Sequence, residues 1–402
     1  MDADAVRKTR EHYNSHANNY ADRSQALDAR RQGAALPLKE FHNAIKRKMI
    51  LRFAGGADSL LDFACGRGGD IHKWAAAKIK YVKGIDLSPG EIEEARRRFA
   101  EHIERRNPRQ QGPLLEAEFV DSDQLGLSMW KEPQQYDAVT CMFAIHYFFV
   151  TERALDTFLH NVAINLKDGG YFFGTFPSGK RVQDTIHRFG SWPQYNAPML
   201  QLQALWKGNV ASFGCAYTCA IGDTVTQGVG ATEGSYEYLV FNSTLIGVAA
   251  KHGLKPVCDW GDPELDDCFD EADAQKPIKH FHPRFPSHSD RSLTYASALF
   301  AAFAFQKSGT EQQHRSAGNQ SSQKEVVRSG AADAHERKRR REDSKDAGPS
   351  QTTKSAAELD AGDWGNAEGA KGLKEAGKAA SAAYKRPKPR EARTTDAREK
   401  DG

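Results

Sequence analysis

LLDFACGRGGD, Leu60 to Asp70, is the stretch whose reading decides the fold. An apolar run carrying one Asp passes straight into Gly66, Gly68 and Gly69, and DIHKWAAAKI follows with the character of a helix start. A strand, a glycine turn and a helix N-terminus in that order leave free backbone N–H groups facing a ligand. Glycine suits the turn because a residue without Cβ takes up positive φ and lets a ligand lie against the main chain. The next strand, YVKGIDLS (Tyr81 to Ser88), ends in Asp86, where a nucleotide-binding α/β unit sets a carboxylate against ribose hydroxyls. Gly-x-Gly-Gly in place of Gly-x-Gly-x-x-Gly favours S-adenosylmethionine over NAD. The same turn also occurs with no ligand, so the rest of the chain has to carry the reading.

The 402 residues are unevenly composed. Aromatic and aliphatic runs recur up to about Lys307, and beyond it only Trp364 and Tyr384 are aromatic. Residues 1–58 read as an N-terminal helical extension, 59–307 as the core and 308–402 as a disordered low-complexity tail. A tail so poor in large apolar groups buries too little surface to offset the entropy of ordering it. The formal charge of +3 is too small to argue for nucleic-acid binding by itself, so any basic surface is local. Scattered cysteines and an N-terminus without an apolar signal core point to a reducing compartment. No run is long enough to span a bilayer. Cys215 and Cys219 lack a second pair to complete a zinc site, and no metal is expected.

In PLKEFHNAIKRKMILRFA, Leu38, Phe41, Ile45, Met49 and Ile50 share a helical face. The core then alternates strand and helix as a parallel sheet demands. Pro89 to Arg106 is a helix with acidic residues early and arginines late, as the macrodipole favours; its basic face, Arg96 to Arg98 with Arg105 and Arg106, is either an RNA contact or a solvated surface. LEAEFVDSD ends a third strand at Asp121 and Ser122, near the adenine end of a cofactor held by Asp86. Tyr136 to Phe149 reads as the fourth strand, its terminal FAIHYFF lining the site with rings that can sandwich a base. A fifth strand ends at Pro177, GSYEYLVF carries Glu237, and FNSTLIGVAAKHG is a helix closed by Gly253. Asp259 to Arg291 reads as a mobile loop with solvated histidines, and Ser292 to Lys307 as one long apolar strand.

Taken together, EHYN, FHNAIKRKMI, LLDFACGRGGDIHKW, GIDLSPGEIEEA, FVDSD, FAIHYFF, GGYFFGTFPS, FGCAY, YEYLVF and FAFQK run in one order through Glu11 to Lys307. In this the chain resembles the eukaryotic and viral mRNA cap (guanine-N7) methyltransferases. The resemblance implies an α/β, Rossmann-like class I methyltransferase fold, a mostly parallel seven-stranded sheet with helices on both faces. It implies S-adenosylmethionine as cofactor, touched by Lys46, Asp70, Asp86, Asp121, Ser122 and Tyr147, with Ala64, Gly66 and Met142 beside it. Arg67, Phe143, His146, Pro177, Glu237 and Phe300 would sit at the capped guanine of a GpppN RNA, His146 in a positioning role. A carboxylate such as Glu237 can accept from guanine N1–H and N2–H₂ together. A triphosphatase, a guanylyltransferase or an activating subunit would be the partners.

Four places depart from the family pattern, one of them near Leu36, where an N-terminal cap-stacking aromatic is replaced within a longer ARRQGAALP linker. Ala64 stands where glycine is usual, an exchange tolerable at negative φ; Met142 replaces a frequent Gln; Phe300 keeps the ring of a Tyr and loses its hydroxyl. The expected chemistry is direct in-line transfer to N7, whose lone pair needs no general base. A methyltransferase with another acceptor would not need Glu237, Pro177 and FAIHYFF together, whereas a non-catalytic subunit would not need Asp70, Asp86 and Asp121 intact. The clusters ERKRRRED and KRPKPREAR in the tail read as nuclear localisation or RNA-contact patches or as a merely solvated tail; import is the first reading and points to the nucleus.

Overall fold

The computed structural model describes Arg7 and residues 9–14, 33–105, 114–226 and 234–309. Five strands, β1 (Ser59–Phe63), β2 (Tyr81–Asp86), β3 (Glu116–Asp121), β4 (Tyr136–Met142) and β5 (Leu166–Pro177), are parallel neighbours in the order β3-β2-β1-β4-β5. Among the remaining strands, β6 (Gln194–Ala197), β7 (Leu200–Ala204), β8 (Ala216–Ile221) and β9 (Ser235–Tyr238) form a separate antiparallel sheet. β10 (Leu254–Pro256), β11 (Ile278–His280) and β12 (Phe300–Lys307) complete the main sheet. There β12 lies antiparallel against β5 and takes β10 and β11 on its other edge. This is the Rossmann-like class I arrangement, with one short strand, β11, added to the seven.

Alternation along the strands feeds two apolar cores, because successive side chains leave a sheet on opposite faces. Leu60, Val82, Ala138 and Phe173 enter one core; Leu61, Phe63, Ile85, Val139, Cys141 and Phe172 enter the other. The first is covered by α1 (Leu36–Ala54), α2 (Ile71–Ala76) and α3 (Pro89–Glu104), the second by α4 (Glu152–Asn165). Helix α1 buries Leu38, His42, Ile45, Met49, Ile50 and Phe53, so the face read from the sequence is the packed one, with His42 in it and Phe41 at its margin. Beyond β5 come α5 (Gly179–Asp184), α6 (Asn242–Lys251), α7 (Pro263–Asp266) and α8 (Arg291–Ala298).

Four expectations change. The fourth strand stops at Met142: Phe143 turns the chain at φ +59, and Ile145–Val150 is a 3₁₀ helix. Ser292 to Lys307 is not one strand; Asp290 caps Ser292 N at 2.8 Å, α8 buries Leu293 and Ala296 three apart, and only Phe300 onward is extended. The β6–β9 sheet was not foreseen, although LQLQA alternates buried Leu200, Leu202 and Ala204 with exposed Gln201 and Gln203. Residues 259–291 are not a mobile loop, since they hold α7, a 3₁₀ turn (Glu271–Asp273) and β11. The tail lies outside the described residues from position 310.

Buried cations hold that last segment. Arg181 on α5 donates to the Phe281 carbonyl at 3.3 Å, to the Ala298 carbonyl and to the Asp270 carboxylate. Lys279 sits 5.3 Å over the Trp260 ring and donates to the Asp273 and Ala274 carbonyls. His280 is not solvated: its Nδ1 lies 2.7 Å from Asp273 Oδ2. Replacing Arg181 with Met keeps volume and strands these acceptors, so R181M is expected to lose about 3 kcal/mol of stability. Urea unfolding measures the loss, and limited proteolysis should first cut within 259–291.

Candidate functional site

A cleft of about 1870 Å³ opens at the carboxyl ends of β1, β2 and β4. At its floor, Gly66 (φ +52) and Gly68 (φ +69) make the turn, and Gly66 N–H donates to Asp86 Oδ2 at 2.8 Å. Ser88 N–H donates to Asp86 Oδ1 at 3.0 Å. The Leu87 backbone N–H also bears on this carboxylate, which keeps acceptor capacity for a ribose hydroxyl. Burial pushes the Asp86 carboxyl up to about 6, and the N–H groups of Ser88, Gly66 and Leu87 work against that rise. This donor and acceptor set fits the ribose of an adenosine cofactor.

Asp70 precedes α2 and is buried between two ammonium groups, Lys46 Nζ at 2.8 Å and Lys73 Nζ at 2.7 Å from Oδ1. Burial alone would raise its carboxyl, but Lys46 and Lys73 outweigh it and hold the group at about 2. One strand position below the turn, Asp62 is pushed up to about 8 by burial and by Asp70 and accepts from Thr140 Oγ1 at 2.6 Å. Its protonated form is thereby favoured, and the charged carboxylate of this pair is the one set between the two lysines.

Aromatic rings from the 3₁₀ segment and β12 form the opposite wall. Phe143, held at φ +59 by its N–H to Thr175 O at 2.9 Å, stacks on His42 with ring centres 5.2 Å apart and meets the Phe300 ring edge-on. His42 is buried, pushed down to about 3 by that burial and the nearby Lys46, and shares a 2.9 Å hydrogen bond with Ser297 Oγ. Tyr147 Oη lies 2.6 Å from Tyr13 Oη. Asn14, on the same N-terminal turn, accepts from Ser88 Oγ at 2.6 Å, so this turn closes onto the cofactor side.

Glu237 reaches the cleft from the second sheet. It is 4 % exposed, and burial pushes its carboxyl up to about 7 against hydrogen bonds from Ser235 and Tyr217. His146, 3 % exposed and pushed down to about 3 by burial, is neutral; its Nε2 stands 4.0 Å from Glu237 Oε1. Neither ring nitrogen of His146 has a hydrogen-bond partner among the described residues. A buried carboxylate beside a neutral, unsatisfied imidazole is a site for a planar polar ligand.

Of the residues singled out from sequence, Lys46, Ala64, Gly66, Arg67, Asp70, Asp86, Ser122, Met142, Phe143, His146, Tyr147, Glu237 and Phe300 line this one cleft. Asp121 does not: it is exposed at the end of β3, and Ser122 after it takes the lining position. Pro177 is buried behind the wall, in register with Phe300. Arg67 lines the cleft, but Glu91 takes its guanidinium, with Nε donating to Oε2 at 2.9 Å. Along α3 and at its C-cap, Arg97 and Arg98 pair with Glu94, and Arg105 with Glu101, so these three arginines of the expected RNA face are engaged locally by two carboxylates. Tyr13, His42, Tyr217 and Ser235 went unread as site residues, although the first three lie in the motifs EHYN, FHNAIKRKMI and FGCAY.

Ala64 overturns one expectation outright, because its φ is +68 and not negative. The left-handed region costs a residue with a Cβ about 1 kcal/mol, so A64G is expected to stabilise the protein by about that amount. A higher urea midpoint at unchanged slope is the check.

The profile of the mRNA (guanine-N(7))-methyltransferase domain matches residues 2–329. The mRNA cap guanine-N(7) methyltransferase 1 of Arabidopsis thaliana is 36% identical over 44% of this chain and 47% of its own length. The mRNA cap guanine-N(7) methyltransferase of Saccharomyces cerevisiae is 29% identical over 74% of this chain and 69% of its own. The chain therefore spans about half the length of the first relative and about two thirds of the second. A solved S-adenosylmethionine-dependent methyltransferase from Clostridium acetobutylicum covers 74% of this chain with 99% of its own, at 14% identity and a TM-score of 0.41, too low to carry an argument. The profile match takes in the glycine turn, the aromatic wall and Glu237 alike, and the chain belongs to the mRNA (guanine-N7) methyltransferase family.

Proposed function

We propose that this protein methylates N7 of the cap guanine of GpppN-capped RNA. The observation that carries this reading is Glu237: a carboxylate buried in the cofactor cleft, beside a neutral histidine, facing an aromatic wall. Guanine is the base that presents two adjacent N–H donors to such an acceptor, and adenine presents none in that arrangement. S-adenosylmethionine, when bound, supplies an electrophilic methyl on a sulfonium. Asp86 would hold its ribose, the Gly66 turn its backbone contacts, and Lys46 and Asp70 the far end of the cleft. Phe143 and Phe300 would hold the guanine plane, and His146 would orient it from below. No side chain has to remove a proton, because N7 offers a free lone pair. What this chain contributes is alignment and water exclusion. Capping enzymes or an activating subunit are the fitting partners and the nucleus the fitting compartment; the basic clusters that suggest import lie outside the described residues.

The test uses three RNAs, one ending in GpppN, one in m7GpppN and one in a free triphosphate, with labelled methyl donor and digestion to nucleotides. Label is expected as m7G from the first alone; label in another nucleotide, or none despite cofactor binding, would refute the reading.

The Gln side chain puts an amide donor against a guanine donor. E237Q is therefore expected to lower kcat/KM for the cap by about a hundredfold at unchanged cofactor affinity. In the free enzyme Glu237 loses its charge as pH falls through about 7. A protonated carboxyl gives up one acceptor position, so KM for the cap should rise below that pH. The groups facing it are Tyr217, Ser235, His146, Tyr147, Tyr13 and Cys219, whose thiol is pushed well up by burial. His146 stays neutral in that range and the tyrosines are pushed up by burial, so the limb is Glu237's and should vanish in E237Q.

A further inference from the structure

The two oxygens of Glu237 are each held by one hydroxyl of its own sheet. Tyr217 Oη donates to Oε2 at 2.6 Å, and Ser235 Oγ donates to Oε1 at 2.6 Å. Tyr217 stands directly opposite Glu237 in the β8–β9 register, and Ser235 is two residues away on the same face of β9. Both are closed off from water, Tyr217 at 0 % and Ser235 at 1 % exposure. Ser235 Oγ also lies 3.1 Å from the Cys219 carbonyl, and the shorter, charge-assisted contact takes its single proton.

A carboxylate oxygen accepts along two directions. With one direction on each oxygen filled from the sheet, one on each remains. His146 Nε2, 4.0 Å from Oε1, is too far to fill it. The terminal torsion of a glutamate is otherwise soft, so nothing in the side chain itself would hold those two directions in place. Burial also favours protonation of Glu237, and the two hydroxyls oppose it.

We propose that Tyr217 and Ser235 are positioning residues that fix Glu237 as a two-pronged acceptor and so set the preference for a base with both an N1–H and an N2 amino group. The inference rests on the cap-methylation reading and adds its specificity determinant: guanine over hypoxanthine, which lacks only the N2 amino group. Losing either hydroxyl frees the carboxylate to turn and to take up a proton. The second prong then no longer discriminates.

The experiment measures kcat/KM of the full chain on short RNAs capped with GpppA and with IpppA, alongside cofactor binding. Wild type is expected to prefer the guanosine cap by at least about tenfold, because a site built for a donor penalises its absence. In Tyr217→Phe and in Ser235→Ala that preference should fall to within about threefold, with a raised KM for the guanosine cap and unchanged cofactor affinity. Tyr217→Phe keeps the ring and the packing. A variant pair that slows on both caps equally, or that loses cofactor binding as well, assigns the hydroxyls a merely structural role and overturns the inference. A wild type that methylates both caps equally overturns it while leaving cap methylation standing, and one that methylates neither removes the underlying reading.

Discussion

A carboxylate buried between two ammonium groups is the constraint on which the cleft depends. Asp70 sits at the first turn of α2, immediately after the glycines, and its partners come from different places: Lys73 from the same helix and Lys46 from α1. An ionised Asp70 without a lysine would leave a charge in a place that water barely reaches, which is costly; one lysine balances it, and the second gives this end of the cleft one net positive charge. The pairing therefore ties the long N-terminal helix to the glycine turn. Burial first, and then the ionised Asp70, favour the protonated form of Asp62 beneath, because a second ionised carboxyl there would face Asp70 across a medium of low polarity. Helix α1 is thus part of the site and not an appendage to it. His42 and Lys46, one turn apart, both meet Phe143, by stacking at 5.2 Å and as a cation 5.9 Å from the ring centre.

Four described residues with a Cβ are held at positive φ, Ala64, Lys78, Phe143 and Asp223, and two of them end strands at the cleft: Ala64 where β1 ends and Phe143 where β4 ends. Neighbouring parallel strands must each end abruptly to open a crevice between their carboxyl ends. At Ala64 the turn is fixed by N–H bonds from Ala64 and Cys65 to the Ile85 carbonyl. At Phe143 the bond to Thr175 throws the ring back toward α1. Strain of this kind persists only where surrounding contacts over-determine it. Here the stack with His42 and the edge contact with Phe300 do so.

How much of this could be read in the sequence follows from where the determinants lie. The five parallel strands were legible because each is a local apolar run ending in a turn or an acidic residue, and so were Asp86 and the glycine turn. The second sheet was missed in spite of the LQLQA alternation, since pairing β7 with β8 requires contacts between segments that no local pattern relates. Ser292 to Ala298 read as strand because Leu, Thr and Tyr favour extended chain; the Asp290 cap and burial against α1 override that preference. Residues 259–291 read as a loop because their order comes from Arg181, about a hundred positions earlier in the chain, whose guanidinium no composition argument would bring there. The same holds for Arg67. Its role at a base was a fair expectation from type and position, and the nearby Glu91 on α3 decides where the guanidinium goes.

The residues proposed to hold the cofactor stand at the main sheet, and Glu237, proposed to read the acceptor, stands on the other. In-line transfer tolerates misplacement of only about half an ångström, so the two sheets have to be held in fixed relation. The join is made at the end of β5. Ser178 bridges Val240 just beyond β9, Gly179 N–H donates to the Val240 carbonyl at 2.8 Å, and Ser178 N–H donates to the Leu299 carbonyl at 2.8 Å. Gly179 is required there, since a Cβ would lie 2.7 Å from the Val240 carbonyl oxygen. The same few residues therefore anchor β9, α8 with β12, and the strand that carries Pro177. Pro177 stands behind the wall, and its neighbours fix the distance between Glu237 and the glycine turn, the two groups on which the proposed transfer rests.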